Sequence, residues 1–272
     1  MHKPSVQILL SSYNGASFLK DQLDSILGQT AQNWQLLIRD DGSTDETMKI
    51  VEEYCGRFPN KIKLVSGGSG GGSSSSFMSL LSIAEAPYVM FCDQDDIWIT
   101  TKVETAFNKI VALEKQSPIA LYFTDMKVVD KEMNELQPSF FKQQKLKPEW
   151  SKIPYFAFAQ SMGAGCTMIF TQALIQQLHQ IKAPLFQHDH WLLMHASFYG
   201  KVGFSVDKTV FYRQHESNVV GSHEINLPYF FSKITSIRDV FSRWFYIKKQ
   251  FGPQISIVQL MRAKWELNRQ RF

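Results

Sequence analysis

Long apolar runs are missing from this chain: nothing approaches the roughly 18 consecutive apolar residues of a membrane-spanning helix. The N-terminal MHKPSVQILLSSYNG carries an apolar run too brief for a secretory signal, and no cleavage pattern follows it. Cysteine is scarce. Cys55, Cys92 and Cys166 are odd in number, far apart and without metal-ligand spacing. That argues against a disulfide framework and for a reducing compartment, so a cytoplasmic chain is expected. Several nucleotide and metal signatures are also absent: no window reads G-x-G-x-x-G, no lysine follows the glycines as in a phosphate-binding loop, and there is no H-E-x-x-H. Glu104 stands at the twelfth position counted from Asp93, as in a calcium-binding EF-hand. Ile97 and Trp98, however, occupy the places of a ligand and a glycine, which excludes that motif.

With 272 residues, 44% of them hydrophobic, the chain can fill one large core or a domain with an appendage. Its net charge of +4 is unevenly spread: residues 223–272 hold nine Lys/Arg against three Asp/Glu, which leaves a net −2 for the rest. Within that basic tail, LPYFFSKITSIRDVFSRWFYIKKQFG interleaves Phe230, Phe231, Ile234, Ile237, Phe241, Trp244 and Phe245 with cations. Such spacing suits a helix lying on a membrane surface, and equally one packed on the catalytic domain or on a second subunit in a homodimer. Nucleic acid is not an expected partner, because the rest of the chain is acidic and no binding motif occurs.

The first half alternates strand and helix patterns, which predicts parallel strands joined by crossover helices. Strands are expected at Val6 to Asn14, in WQLLIRDDGS, IKLV and YVMFC, and in IALYFTDMKVVD. Helices are expected in FLKDQLDSILGQT, in FMSLLSIAEA and in TKVETAFNKIVALEKQ. Ser43 and Glu46 have capping-box spacing, which predicts a helix beginning immediately after Gly42. The Gly/Ser stretch from Ser66 to Ser76 reads as a flexible, linker-like loop.

Two acidic clusters, Asp40/Asp41 and Asp93/Asp95/Asp96, fall at the C-terminal ends of expected strands, the edge where open α/β sheets bind ligands. Carboxylates crowded beside an apolar run repel one another and lose hydration. A divalent cation that in turn meets a diphosphate would relieve this, and magnesium or manganese suits such hard ligands. His188, His190 and His195 with Asp189 raise a competing zinc reading, although H-x-H is a weak signal.

At these spacings SSYNG, RDDGSTD and FCDQDDIW resemble the nucleotide-sugar-binding half of a glycosyltransferase family 2 enzyme of the GT-A fold. Downstream, MGAGCTMIF, HDHW and FYRQHESNVVG resemble the acceptor half of bacterial rhamnosyltransferases of that family, so the likeness spans roughly residues 5 to 222. It implies an α/β fold with a mixed, mostly parallel sheet flanked by helices and a C-terminal helical appendage. The implied domains are a catalytic unit over residues 1–222, divided at 125/126 into donor and acceptor halves, and a tail over 223–272.

The resemblance also implies roles. Ser12, Tyr13, Asn14, Asp40, Asp41, Asp93, Gln94 and Asp96 would surround the nucleotide sugar, with Asp96 facing the sugar. Asp95, Asp93 and His215 would hold Mn2+ or Mg2+, and Asp189 would be the catalytic base. Trp98, Gly165, His188, Trp191 and Arg213 would form the sugar or acceptor pocket. The implied activity is inverting transfer of a sugar, L-rhamnose from dTDP-L-rhamnose or a hexose from its UDP form, to a lipid-linked or polysaccharide acceptor of the bacterial surface or capsule. A non-catalytic nucleotide-sugar binder is the alternative of another class. His188-Asp189 stands where many relatives have an acidic pair, and the loop before Phe77 lacks their asparagine.

Overall fold

The computed structural model describes residues 4–66, 71–178, 186–215 and 237–270. Phe230, Phe231 and Ile234 of the tail, the stretch after His215 in FYRQHESNVVG and the expected boundary at 222/223 lie outside these residues.

One nine-stranded sheet organises the chain. Its first four strands are β1 (Val6–Ser12), β2 (Trp34–Asp40), β3 (Ile62–Leu64) and β4 (Tyr88–Cys92). Then come β5 (Ile97–Trp98), β6 (Ala120–Val129), β7 (Glu135–Gln137), β8 (Ile169–Thr171) and β9 (Lys201–Arg213). The order is β3-β2-β1-β4-β8-β6-β9-β5, with β7 beside β6. β1 pairs in parallel with β2 and β4, β2 with β3, and β6 with β9, whereas β8, β5 and β7 join antiparallel through short ladders. The sheet is therefore mixed, and its long ladders are parallel.

Burial on both faces explains why β1 and β4 read as unbroken apolar runs. Leu9, Val89 and Phe91 enter one core; Ile8, Leu10, Met90 and Cys92 enter the other. Helices α1 (Leu19–Leu27), α2 (Thr47–Arg57) and α4 (Lys102–Glu114) cover the second face with Leu23, Val51 and Ile110. On the first face lie α3 (Gly72–Ser82) and α8 (His188–Tyr199), the shorter α5 (Phe140–Gln143), α6 (Pro154–Ala159) and α7 (Gln172–Gln177), and the final pair α9 (Ile237–Phe251) and α10 (Ile257–Arg269). Ile247 and Phe251 of α9 and Leu260 and Leu267 of α10 are buried in that same core. No helix among the described residues is long and apolar enough to cross a membrane.

Two local expectations fail for identifiable reasons. α2 starts at Thr47, not after Gly42, because Ser43 is engaged elsewhere: its hydroxyl donates to Asp40 and accepts from the Asn14 N–H at 2.8 Å. Asp45 takes over at that helix start, accepting from the Thr47 N–H at 3.0 Å. The Gly/Ser stretch is not loop throughout, since α3 already begins at Gly72. The apolar residues Phe77, Met78, Leu80 and Leu81 bury against the sheet and carry the helix back through Ser73–Ser76. Gly72 itself has φ +71°, a backbone conformation suited to glycine.

The chain runs outward from β1 to β2 and β3, then returns to place β4 on the other side of β1. That reversal opens a crevice at the C-terminal ends of β1 and β4.

Candidate active site

A cavity of about 950 Å³ fills that crevice, at the upper end of the roughly 300–1,000 Å³ usual for ligand sites. Its floor is made by loops tied across the sheet edge. Asn14, at φ +47°, donates its N–H to Ser43 and accepts from the Thr44 N–H at 2.8 Å. The neighbouring Gly15 and Ala16 N–H groups donate to Thr47 and Asp45. Asp40 is consumed by the same knot: its carboxylate accepts from the Ser12 hydroxyl, the Gly42 and Ser43 N–H groups and the Ser43 hydroxyl. Asp41 instead lines the cavity, with Oδ2 accepting from the Gly72 N–H at 2.9 Å. Adjacent carboxylates thus serve different ends, Asp40 the turn and Asp41 the cavity wall.

β4 delivers the second cluster. The Gln94 amide clamps Tyr13 from both sides, accepting from its N–H at 2.8 Å and donating to its carbonyl at 2.9 Å. A side chain on Gly15 would collide with that amide. Tyr13 is left 57% exposed at the mouth of the cavity. Asp93 lines the cavity, and burial, with the Asp95 and Asp189 carboxylates nearby, pushes its carboxyl up to about 7. Asp95 meets His215, whose Nε2 lies 3.0 Å from Oδ2. The imidazole is stacked on Phe18, ring centroids 4.4 Å apart.

The third contribution comes from the start of α8. Asp189 sits in its first turn, faces the cavity and accepts from the Gly165 N–H at 3.2 Å. A carboxylate there is favoured by the helix dipole. His188 also lines the cavity, stacked on Phe77 at 4.3 Å and edge-on to Phe91 at 4.8 Å, and burial pushes its imidazole below its usual range.

Ten expected site residues therefore converge: Tyr13, Asn14, Asp41, Asp93, Gln94, Asp95, Gly165, His188, Asp189 and His215. Six do not line the cavity. Ser12 is buried beneath it, bonded to Asp40. Asp96 does not reach the cavity, being fully buried, bonded to the Arg213 N–H at 3.4 Å and within 4.8 Å of the Cys166 thiol. Burial holds its carboxyl well above the usual carboxylate range. Trp98 packs in the core under the Lys102 ammonium, 4.7 Å from its ring. Trp191 lies in an aromatic cluster with Phe186, His195, Tyr246 and Phe251, away from the acceptor pocket expected for it. The buried Arg213 reaches back to Asp21 at 3.0 Å and over the Phe18 ring. The zinc reading also loses its geometry. His190 bonds the Ala157 carbonyl and His195 packs among aromatics, and no group of them appears among the described residues able to hold a metal.

Three residues escaped the sequence reading. Phe18 fits the apolar spacing of α1, so nothing marks it as the platform for His215. Cys166 lines the cavity and lies within 4.8 Å of Asp93 and Asp96, although thiols at such separations suggest nothing. Lys102 is a fully buried cation behind the acidic loop, where burial lowers its ammonium to about 8.

The donor set suits a hard divalent cation. Asp93, Asp95 and Asp189 crowd negative charge at one wall, and burial, added to by that crowding, raises the Asp93 carboxyl. Asp93, Asp96 and Cys166 also offer ligand atoms within 4.8 Å of one another. That group fits manganese or magnesium poorly, because its thiol is soft and burial keeps it protonated, well above the usual thiol range. Asp95 and His215 meet at 3.0 Å, but with Asp93 they do not bring three ligand atoms within 4.8 Å of one another.

Comparison with known proteins follows the same lines. The family model described as Glycosyl transferase family 2 matches residues 7–168, more than half of the chain. A dTDP-rhamnosyl transferase of Shigella flexneri is 25% identical over 292 residues, covering 96% of this chain and 95% of that one. A UDP-Glc:alpha-D-GlcNAc-diphosphoundecaprenol beta-1,3-glucosyltransferase of Escherichia coli is 28% identical over 171 residues, 62% of this chain and 61% of its own. Among solved structures, residues 1-349 of S. aureus TarS in complex with UDP-GlcNAc superpose with a TM-score of 0.66 at 17% identity, over 98% of this chain and 72% of that one. A mannosyltransferase from Pyrobaculum calidifontis in complex with GDP-Man and Mn2+ gives 0.57 at 15% identity, over 99% and 74%. At such identities the structural likeness establishes the fold alone.

Proposed function

The chain belongs to glycosyltransferase family 2, and from that premise we propose that it is an inverting transferase moving L-rhamnose from dTDP-L-rhamnose to a lipid-linked or polysaccharide acceptor of the bacterial surface. The observation that carries this reading is the convergence of Asp41, Asp93, Asp95, Asp189 and His215, from four separate parts of the chain, on one cavity.

Each group has a task its position suits. Tyr13, exposed at the mouth, offers a ring face to the nucleotide base, and Asp41 offers an acceptor for a base N–H. Asp189 takes the proton of the acceptor hydroxyl as that oxygen bonds to the anomeric carbon. The bond from that carbon to the diphosphate breaks, its electron pair leaves with the nucleoside diphosphate, and attack from the opposite face inverts the centre. Gly165 fixes the base through its N–H. Mn2+ or Mg2+ held by Asp95, Asp93 and His215 would supply positive charge to the departing diphosphate. The chain would work in the cytoplasm, where its three free cysteines stay reduced.

Rhamnose is preferred because the dTDP-rhamnosyl transferase relative matches nearly end to end. Glucose from UDP-glucose is the second reading, favoured by the Escherichia coli relative. A thermal-shift screen of nucleotide sugars with and without manganese separates them, since a true donor raises the melting temperature by mass action. dTDP-L-rhamnose is expected to give the largest shift; a larger one with UDP-glucose would reverse the assignment. Asp189→Asn is expected to lower kcat by about 10²–10⁴ while the donor still binds. Unchanged turnover would remove Asp189 as the base, and a wild-type protein that binds the donor without turnover would favour the non-catalytic reading.

A further inference from the structure

The last two helices turn an apolar, basic side to solvent. α10 buries Leu260, Ala263 and Leu267 against the domain, as a surface helix should. Its opposite side should then be polar. Instead it carries Val258, Met261 and Trp265, which are 68%, 51% and 62% exposed, interleaved with exposed Arg262 and Arg269. The Arg269 guanidinium lies 5.3 Å from the Trp265 ring centre. α9 repeats the pattern one helix earlier. Trp244, Ile247 and Phe251 face inward, while Phe241 and Phe245, one turn apart, are 50% and 66% exposed beside exposed Lys249. The two helices are joined where the Trp244 indole N–H donates to the Ile255 carbonyl at 3.0 Å.

We propose that this outward side of α9 and α10 is a docking surface for an anionic lipid bilayer, with Trp265, Met261, Val258, Phe245 and Phe241 entering the interface and the neighbouring Arg and Lys side chains meeting lipid phosphates. Charge selects the occupant. Residues 237–270 hold seven Lys/Arg against two Asp/Glu, a net +5, so two copies meeting through these faces would repel each other. An anionic leaflet attracts the same surface, and aromatic and long cationic side chains are the residues that settle at headgroup depth. The inward residues hold the helices to the domain, so α10 rests on α6 through the Tyr155 hydroxyl and the Ala159 carbonyl, and docking would need no unfolding. The inference stands without the transferase reading, because it uses no residue of the cavity.

Sedimentation of the full chain with vesicles of phosphatidylcholine, with and without phosphatidylglycerol, tests it. Binding is expected only where phosphatidylglycerol is present, and it should weaken with added salt. Arg262→Gln with Lys249→Gln should weaken it about 25-fold, at roughly fivefold per cation near a charged surface, Arg269 being already paired with Glu266. Met261→Ser with Trp265→Ser should weaken it at unchanged charge. Both double variants alter exposed positions, and an unchanged melting temperature confirms that they fold. Wild-type protein left in the supernatant with phosphatidylglycerol vesicles would overturn the proposal, as would undiminished binding by both variants. So would a dimer in light scattering that dissociates on Met261→Ser with Trp265→Ser, which would assign the face to a second copy.

Discussion

His215 and Asp95 are 120 positions apart in the chain, yet the imidazole Nε2 lies 3.0 Å from the carboxylate. The ring is held by Phe18 from a third segment, and Phe18 also lies under the Arg213 guanidinium at 4.9 Å, which bonds Asp21. The pair is therefore set by the packing of α1 against the end of β9. Phe18→Leu should keep the fold but loosen the imidazole, and with His215 as the proposed ligand this should weaken manganese affinity about tenfold. His215→Ala should weaken it further. Titration of the manganese-dependent melting shift reads both, and a Phe18→Leu protein with wild-type affinity would detach Phe18 from the site.

Asp93 gives the metal-free protein a pH signature. Its folded carboxyl titrates at about 7, whereas an exposed aspartate titrates near 3.9. Between those values the folded state keeps a proton that the unfolded chain has lost. Stability should thus fall as pH rises from about 4 to about 7, then level off. Melting temperatures across that range should decline in the wild type, and Asp93→Asn should remove this component. A wild-type slope of the opposite sign that Asp93→Asn abolishes would contradict the buried, crowded environment described for Asp93.

Asp40 and Asp41 should separate stability from affinity. Asp40→Ala strands four donors of the turn and is expected to cost about 2–3 kcal/mol, read by urea denaturation. Asp41→Ala removes a group at the cavity wall and should raise the KM for the donor about tenfold. Equal effects of both changes on KM would erase the distinction.

Gly165 closely approaches Asp189, the proposed base. A Cβ there would stand 3.3 Å from both the Asp189 Cβ and the His188 Nε2. Gly165→Ala should therefore displace the carboxylate by tenths of an ångström and lower kcat about 10- to 100-fold. Donor-induced melting shifts should persist. Wild-type kcat would count against Asp189 as the base.

Much of this was legible in the chain because parallel strands buried on both faces read as apolar runs, and the polar residues ending them mark the sheet edge. Val6–Ser12, Trp34–Asp40 and Tyr88–Cys92 are such runs, and both acidic clusters lie at their ends. Less was legible in HDHW, where one helix turn delivers Asp189 to the cavity and Trp191 to the core. Both side chains suit a carbohydrate site by type. Only the face of α8 on which each stands separates them.

The sequence alone determined the family, the alternation of strands and helices, and the sheet edge at which the acidic clusters stand. Those follow from local pattern: apolar period, chain punctuation and motif order. Tertiary structure decided which member of each acidic pair is available. Asp40 is taken by Ser12 and Ser43 while Asp41 meets Gly72, and Asp96 is buried against the Arg213 N–H while Asp95 meets His215. Neighbouring carboxylates are chemically identical, and the partners that distinguish most of them are brought from distant segments by the fold.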